Sequence, residues 1–276
     1  MKIAIVGLGI IGGSYCKALK AHTTHTVIGI NRTQSVAQKA LQVGAIDIIG
    51  TPETLHEADI IVLCMYPQAC VDFLRENGRY IRSDAVVTDA AGIKTALCPQ
   101  LKELSEEFGF TYVGSHPMAG KEKNGFEASD ENLFMGASFL ITPCGAPKAA
   151  VNKLAALALE IGFGTIKVTT PEEHDRMIAY TSQLPHVLAC AYVLSPCCPK
   201  HKGFSAGSYR DVSRVAAINE NLWTDLFLDN KEPLCEEIGI LIENLTIFKE
   251  LIEEGRADEL REQLRQSRLI KAALGE

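Results

Sequence analysis

Short apolar runs rich in β-branched residues recur along the first part of the chain, at Lys2–Val6, Thr26–Ile30, Ile60–Met65, Ala85–Thr88, Thr111–Gly114, Ser138–Thr142 and Thr165–Val168. Several are apolar at nearly every position, the pattern of strands covered on both faces. Helix-length stretches such as Gly12–Ala21 and Ser35–Val43 lie between them. Strands alternating with helices predict a mainly parallel sheet flanked by helices. From Pro171 onward the strand pattern stops, and the rest reads as helical, punctuated by Pro196, Pro199, Gly203 and Gly207. The chain thus divides into an α/β segment, residues 1–168, and an all-α segment, residues 169–276.

The helical segment carries a second pattern. Leu234, Ile238, Leu241, Leu245, Phe248 and Ile252 are spaced 4, 3, 4, 3 and 4 apart, with Pro233 suited to a first helical turn. Such a seam packs against another helix, either inside the chain or across a dimer.

Composition narrows the class. Of 276 residues, 47% are hydrophobic, which excludes disorder, and 27 basic against 34 acidic residues leave a net charge of −7. That balance speaks against nucleic acid or an anionic membrane as partner. The nine cysteines include no CxxC pair, and Cys64 and Cys190 sit inside apolar runs. With no leader pattern and no apolar stretch of membrane-spanning length, a reducing cytoplasm is the expected location. Cys197, Cys198 and His201 are of ligand type, but adjacent cysteines converge poorly on one tetrahedral ion, so no metal is expected.

Gly7-Leu8-Gly9-Ile10-Ile11-Gly12 follows the first strand and opens a helix, the setting of the dinucleotide fingerprint. Gly7 permits the tight turn, Gly9 lets the backbone approach a pyrophosphate, and Gly12 lets helix and strand pack closely. The second strand ends at Asn31-Arg32-Thr33, where NAD binders usually place an acidic residue. Asn31 does not repel a 2′-phosphate and Arg32 with Thr33 suits one, so these residues lean towards NADP.

Further along, Gly114-Ser115-His116-Pro117-Met118-Ala119-Gly120 puts a histidine after an apolar strand, at the end where open α/β sheets hold their sites. His116 is a candidate acid or base near neutral pH. Glu173-His174-Asp175, Ser182-Gln183-Leu184-Pro185-His186 and Tyr209-Arg210-Asp211-Val212-Ser213-Arg214, followed by Trp223, complete the chemistry-bearing segments. Arg214 beside Asp211 reads either as a surface ion pair or as a fork for a substrate carboxylate.

Taken in order, the fingerprint, the His116 block, Asn132-Leu133-Phe134, Leu184-Pro185-His186 and the Tyr209–Arg214 segment with Trp223 resemble the prephenate dehydrogenase family, with arogenate dehydrogenase as its near relative. The resemblance runs over roughly residues 2–270. It implies a Rossmann-type dinucleotide-binding domain followed by an all-α dimerisation domain that also binds substrate, and no fused mutase or regulatory segment. The implied reaction is oxidative decarboxylation of prephenate to 4-hydroxyphenylpyruvate and CO2 in tyrosine biosynthesis, driven by aromatisation, with NAD (or NADP) as cofactor. By resemblance, His116 accepts the proton of the substrate hydroxyl and Arg214 binds a carboxylate. His186 and Ser182 line the same pocket, Trp223 walls it, and Asp211 and Glu122 join an ionic network at the entrance. Gly7, Gly9, Ile10, Ile11, Gly12, Asn31, Arg32 and Thr33 hold the cofactor.

Two positions depart from the family pattern. Gly92 stands where a serine commonly assists the histidine, and Gln183 where a histidine is common. A loss of about 1 kcal/mol follows if that hydroxyl is an active partner. Arogenate dehydrogenase is the alternative within the class, and a dinucleotide-binding sensor that has lost catalysis is the alternative outside it. Imine and 3-hydroxyacid dehydrogenases of similar build often use a lysine from the helical domain, yet no lysine occurs between Lys167 and Lys200.

Overall fold

The computed structural model describes residues 1–121 and 123–275. Its first sheet contains β1 (Lys2–Val6), β2 (Thr26–Ile30), β3 (Ile48–Ile49), β4 (Ile60–Leu63), β5 (Val86–Asp89) and β6 (Thr111–Tyr112), all parallel, in the order β3-β2-β1-β4-β5-β6. Between these strands run α1 (Ile10–His22), α2 (Gln34–Gln42), α3 (Pro67–Asn77) and α4 (Cys98–Phe108). The order reverses between β1 and β4, which opens a crevice beyond their C-terminal ends.

The near-continuous apolar runs follow from cover on both faces. Ile3 and Ile5 of β1 pack with Tyr15 and Leu19 of α1, while Ala4 and Val6 point the other way, to Leu74 of α3 and Leu101 of α4. Side chains alternate across a strand, so a strand between two helical layers has no position left for a polar residue. Each large aliphatic side chain fully buried there contributes about 1.5–3 kcal/mol.

The structure corrects one expected strand. Thr111–Gly114 is not continuous: the chain leaves the first sheet at Val113, and β7 (Gly114–Pro117) starts a second one. There β7 runs antiparallel to β8 (Ser138–Thr142), which lies parallel to β9 (Thr165–Val168) across α5 (Lys148–Glu160). Gly114 makes the switch possible, because a Cβ at that position would stand 2.2 Å from Thr142 Oγ1. His116 consequently lies on a strand, opposite Leu140, and not beyond the end of one as the sequence suggested. The two-residue β3 was too short for its hydrophobicity to announce it.

After Val168 the chain is helical, as expected: α6 (Pro171–Ile178), a π-helical turn (Ala179–Gln183), α7 (Leu184–Val193), α8 (Gly207–Ser213) and α9 (Glu220–Asp229). Residues 1–230 form one compact unit and residues 231–276 a second. The second unit holds α10 (Lys231–Glu253) and α11 (Ala257–Ala273), joined through Gly255 at φ 65°. The predicted seam lies on α10, where Leu245 and Ile252 of the seam are exposed in the single chain, as are Ile242 and Ile247. Among the described residues, no helix is long and apolar enough to cross a membrane.

A buried ion pair fixes the loop after β5. Lys94, 1% exposed, donates from Nζ to Asp89 Oδ1 at 2.5 Å and to the Ala91 carbonyl at 2.9 Å. Tyr112 donates its hydroxyl to the other carboxylate oxygen at 2.7 Å. Removing one partner of such a pair leaves an uncompensated buried charge, so Lys94→Met should lower stability by about 3–5 kcal/mol. Denaturant unfolding of the variant beside the parent protein checks this.

Candidate active site

Two glycines of the loop take the conformation and the close contact expected of them. Gly7 takes φ 92° and a Cβ there would lie 2.5 Å from the Cys64 carbonyl oxygen, while one on Gly12 would lie 1.9 Å from the Gly7 oxygen. Gly9, at the N-cap of α1, has nothing within 4 Å of where its Cβ would be, and no side chain caps the helix. The first-turn amides of Ile10, Ile11 and Gly12 are thereby left to an external anion, a cradle that fits a pyrophosphate. Asn31 serves this loop directly: its Oδ1 accepts the Leu8 N–H at 2.9 Å and its amide nitrogen donates to the Thr33 carbonyl at 3.1 Å. Arg32 and Thr33 are exposed beside it.

Beyond the C-terminal ends of β4 and β5, the structure builds a chain of three titratable side chains that runs back from His116. His116 Nδ1 lies 3.0 Å from His174 Nε2, and His174 Nδ1 lies 2.6 Å from Asp175 Oδ1. A carboxylate only accepts, so the His174 Nδ1–H donates to Asp175; neutral His174 then accepts at Nε2, and the His116 Nδ1–H donates to it. His116 Nε2 is therefore the nitrogen that carries the lone pair. Asp175 is itself held from behind, accepting the backbone N–H of Lys94 at 2.8 Å and of Thr95 at 2.7 Å. His116 is held well below the usual histidine value of 6.5 by burial first, then by the nearby charges of His174 and Lys94. His174 is also lowered, because burial outweighs its bond to Asp175. Burial raises Asp175, but its bonds to His174 and to the Thr95 N–H prevail and lower it overall.

Around His116 the two departures from the family pattern acquire a structural meaning. A Cβ at Gly92 would sit 3.7 Å from His116 Cε1 and 3.7 Å from Leu226 Cδ2, ordinary contact distances. A Cβ is accommodated there, and its absence leaves the histidine supported through His174 alone among the contacts described above. Gln183 is buried away from solvent, donating to the Leu226 carbonyl at 3.0 Å and accepting from Asn230 Nδ2 at 2.7 Å. Asn230 donates also to the Asp175 carbonyl at 2.9 Å.

The remaining predicted residues gather on the helices that follow. His186 stacks on Trp223 with ring centroids 3.7 Å apart, and its Nδ1 donates to the Ser182 carbonyl at 2.8 Å. Ser182 thus contributes its backbone, from the π-helical turn that precedes α7. The turn bearing Arg214 packs against α7, and α9 carries both Trp223 and, one turn later, Leu226 beside Gly92. Asp211 is exposed on α8 and forms no ion pair among the described residues, so it does not position Arg214 as the sequence suggested. Glu122 lies outside the described residues. His174 and Asp175 were absent from the expected site; an adjacent His-Asp pair opening a helix is their only mark in the sequence, and nothing local ties it to His116, 58 positions away.

Comparison with known proteins bears on all of this geometry. The family model for the prephenate dehydrogenase nucleotide-binding domain matches residues 15–167, and that for the prephenate dehydrogenase dimerization domain matches residues 170–266. A cyclohexadienyl dehydrogenase of Zymomonas mobilis is 30% identical over 283 residues, covering 99% of this chain and 95% of that protein. A prephenate dehydrogenase from A. aeolicus, solved in complex with hydroxyphenyl propionate and NAD+, superposes with a TM-score of 0.88 at 28% identity over 99% of this chain and 98% of that one. Synechocystis arogenate dehydrogenase does so with a TM-score of 0.84 at 28% identity over 98% and 99%.

The depressed histidines make a prediction about stability. Unfolding returns both rings to about 6.5, so below that pH the unfolded chain binds protons that the folded chain refuses. Stability contributed by this pair is complete above about pH 6.5 and is lost as the pH falls from there, with Asp175 adding its own loss at still lower pH. Melting temperatures measured from about pH 8 down to about pH 5 should stay level and then drop, and His116→Gln should blunt the drop.

Proposed function

The chain belongs to the prephenate dehydrogenase family, and from that membership we propose that it catalyses the NAD-dependent oxidative decarboxylation of prephenate to 4-hydroxyphenylpyruvate and CO2. The observation that carries this reading is the unprotonated His116 Nε2, set by the His174–Asp175 chain. NAD, which the A. aeolicus relative binds, supplies the hydride acceptor when it lies in the cradle at Gly7–Gly12. His116 Nε2 accepts the proton of the substrate's ring hydroxyl as that oxygen becomes a carbonyl. The positive charge that develops on the imidazole spreads towards His174 and Asp175, whose carboxylate is already fixed by two backbone amides. Arg214 holds a substrate carboxylate and fixes the ring against the cofactor. His186, stacked on Trp223, walls the pocket with Ser182. Aromatisation of the ring drives the loss of CO2.

Residues 1–168 serve as the dinucleotide-binding domain and residues 169–276 as the substrate-binding and dimerisation domain, the apolar stripe of α10 supporting a cytoplasmic homodimer. Arogenate is the second substrate to weigh, because the Synechocystis neighbour that uses the name arogenate dehydrogenase superposes almost as closely. NADP is the second cofactor, since Arg32 and Thr33 stand exposed beside the ribose-reading position.

Initial rates of nicotinamide reduction with prephenate and with arogenate, each with NAD and NADP, test the reading directly. The expected result is a robust rate with prephenate and NAD and formation of 4-hydroxyphenylpyruvate; no rate in any of the four combinations would sink it. The residue roles are separable by kinetics. His116→Asn should lower kcat by about 10²–10⁴ with cofactor affinity kept, whereas Arg214→Gln should mainly raise the substrate KM. His174→Ala should lower kcat less than His116→Asn and shift the acid limb of the rate profile, since it removes a positioning partner and leaves the base.

A further inference from the structure

Behind the His116–His174–Asp175 chain lie two side-chain amides that take no part in the proton transfer. Asn230 ends the first compact unit, immediately before α10, and Gln183 ends the π-helical turn; both are buried. The two hydrogens of Asn230 Nδ2 go to different acceptors, one to the Asp175 carbonyl at 2.9 Å and the other to Gln183 Oε1 at 2.7 Å. Gln183 passes the contact on, donating from Nε2 to the Leu226 carbonyl at 3.0 Å. Leu226 in turn borders the base: its Cδ2 and His116 Cε1 are each 3.7 Å from where a Cβ on Gly92 would stand. These groups close a ring that begins and ends beside His116, running through His174, Asp175, Asn230, Gln183 and Leu226.

The helix itself holds Asp175 poorly at this point. The Ala179 N–H is divided between the Arg176 and Asp175 carbonyls, and the wider π-helical turn starts at the same residue. Such a turn interrupts the regular hydrogen-bond ladder, and a buried carbonyl left with part of a donor needs another. Asn230 supplies one from outside the helix, while its second hydrogen grips the far end of the irregular segment at Gln183. Asp175 is thereby held on two sides, by the Lys94 and Thr95 amides at its carboxylate and by Asn230 at its carbonyl. A residue fixed at both ends has little freedom to tilt, and the His174 ring bonded to its carboxylate is fixed with it. The 3.0 Å contact from His174 to His116 depends on that pose.

We propose that Asn230, backed by Gln183, is a positioning residue for the base: its divided amide clamps the Asp175 end of the chain across the π-helical turn, so that His116 keeps its lone pair on Nε2 and its aim at the substrate hydroxyl. Gln183 matters because it occupies the second hydrogen; without that acceptor the Asn230 amide is free to turn away from Asp175. The effect on rate rests on the dehydrogenase reading, whereas the hold on the two imidazoles is a property of the fold. A misplacement of about 1 Å, even from a change remote from the chemistry, costs up to about a hundredfold in rate, which sets the scale of the expected effect.

Two full-length variants of similar side-chain volume divide the clamp. Asn230→Leu removes both hydrogen bonds of the Nδ2 amide, whereas Gln183→Met removes its second acceptor only. With prephenate and NAD, kcat should fall about tenfold to a hundredfold in Asn230→Leu while the KM for prephenate and the affinity for NAD change less than about twofold; Gln183→Met should show a smaller fall of the same kind. A second readout does not involve turnover. Long-range 1H–15N spectra of protein labelled at its histidine nitrogens, with signals assigned through His116→Gln and His174→Ala, report which nitrogen of each ring carries the proton. In the parent protein near neutral pH both rings should be protonated at Nδ1 alone, and in Asn230→Leu the His116 signals should show both tautomers. A folded Asn230→Leu protein with parental kcat, or with parental tautomers and only a lower melting temperature, would overturn the clamp. Should that variant not fold, Gln183→Met decides, and parental kcat and tautomers there would overturn it equally. A parent protein with the expected tautomers but no turnover fails the dehydrogenase reading, while the tautomers of the variants still decide the clamp.

Discussion

The carboxylate of Asp175 is the constraint on which the site depends. It accepts two consecutive backbone amides from the loop after β5 and one imidazole N–H, which leaves little freedom to rotate or to protonate. Because it cannot donate, it dictates the tautomer of His174, and His174 in turn dictates that of His116. One group on α6 thus decides which nitrogen of a ring on β7 is basic. The same contact ties the first helix after the second sheet to the loop that closes β5, so the geometry of the base and the packing of these elements are one problem.

Burial tunes this chain in the direction that the proposed reaction needs. A histidine that is charged at rest cannot take a proton, and desolvation keeps both rings neutral through the physiological range. Asp175 offsets part of that effect at His174 and, in the proposed reaction, stabilises the imidazolium. The buried Lys94–Asp89 pair fixes the loop that supplies the two amides, so an apparently remote ion pair supports the base through backbone position. Its value lies in holding a conformation, since a buried pair is a weak source of net stability.

The two departures from the family pattern read differently once placed. Gln183 belongs to a neutral hydrogen-bond network with Asn230 and the Leu226 carbonyl, where the amide's donor and acceptor are both used. Gly92 brings no side chain to His116, although a Cβ there would meet the ring at an ordinary contact distance of 3.7 Å. Neither change removes the base or the chain behind it.

Much of the architecture was legible in the chain itself. Apolar runs such as Ile3–Val6 and Ile60–Leu63 read as doubly covered strands because burial on both faces leaves a one-dimensional trace. The tight turn at Gly7 and the close packing at Gly12 were legible because backbone conformation and close approach act over a few residues. The seam of α10 was equally plain, since helical periodicity is local. The break at Val113, the short β3 and the His116–His174–Asp175 chain were not legible, for each depends on partners distant in sequence. His116 was recognisable as chemistry-bearing from its own neighbourhood; which of its nitrogens is basic was decided by a histidine 58 residues later. Local composition determined the elements and the candidate groups, and tertiary packing decided protonation and direction, because proton positions follow from which donors and acceptors the fold brings within about 3 Å of one another.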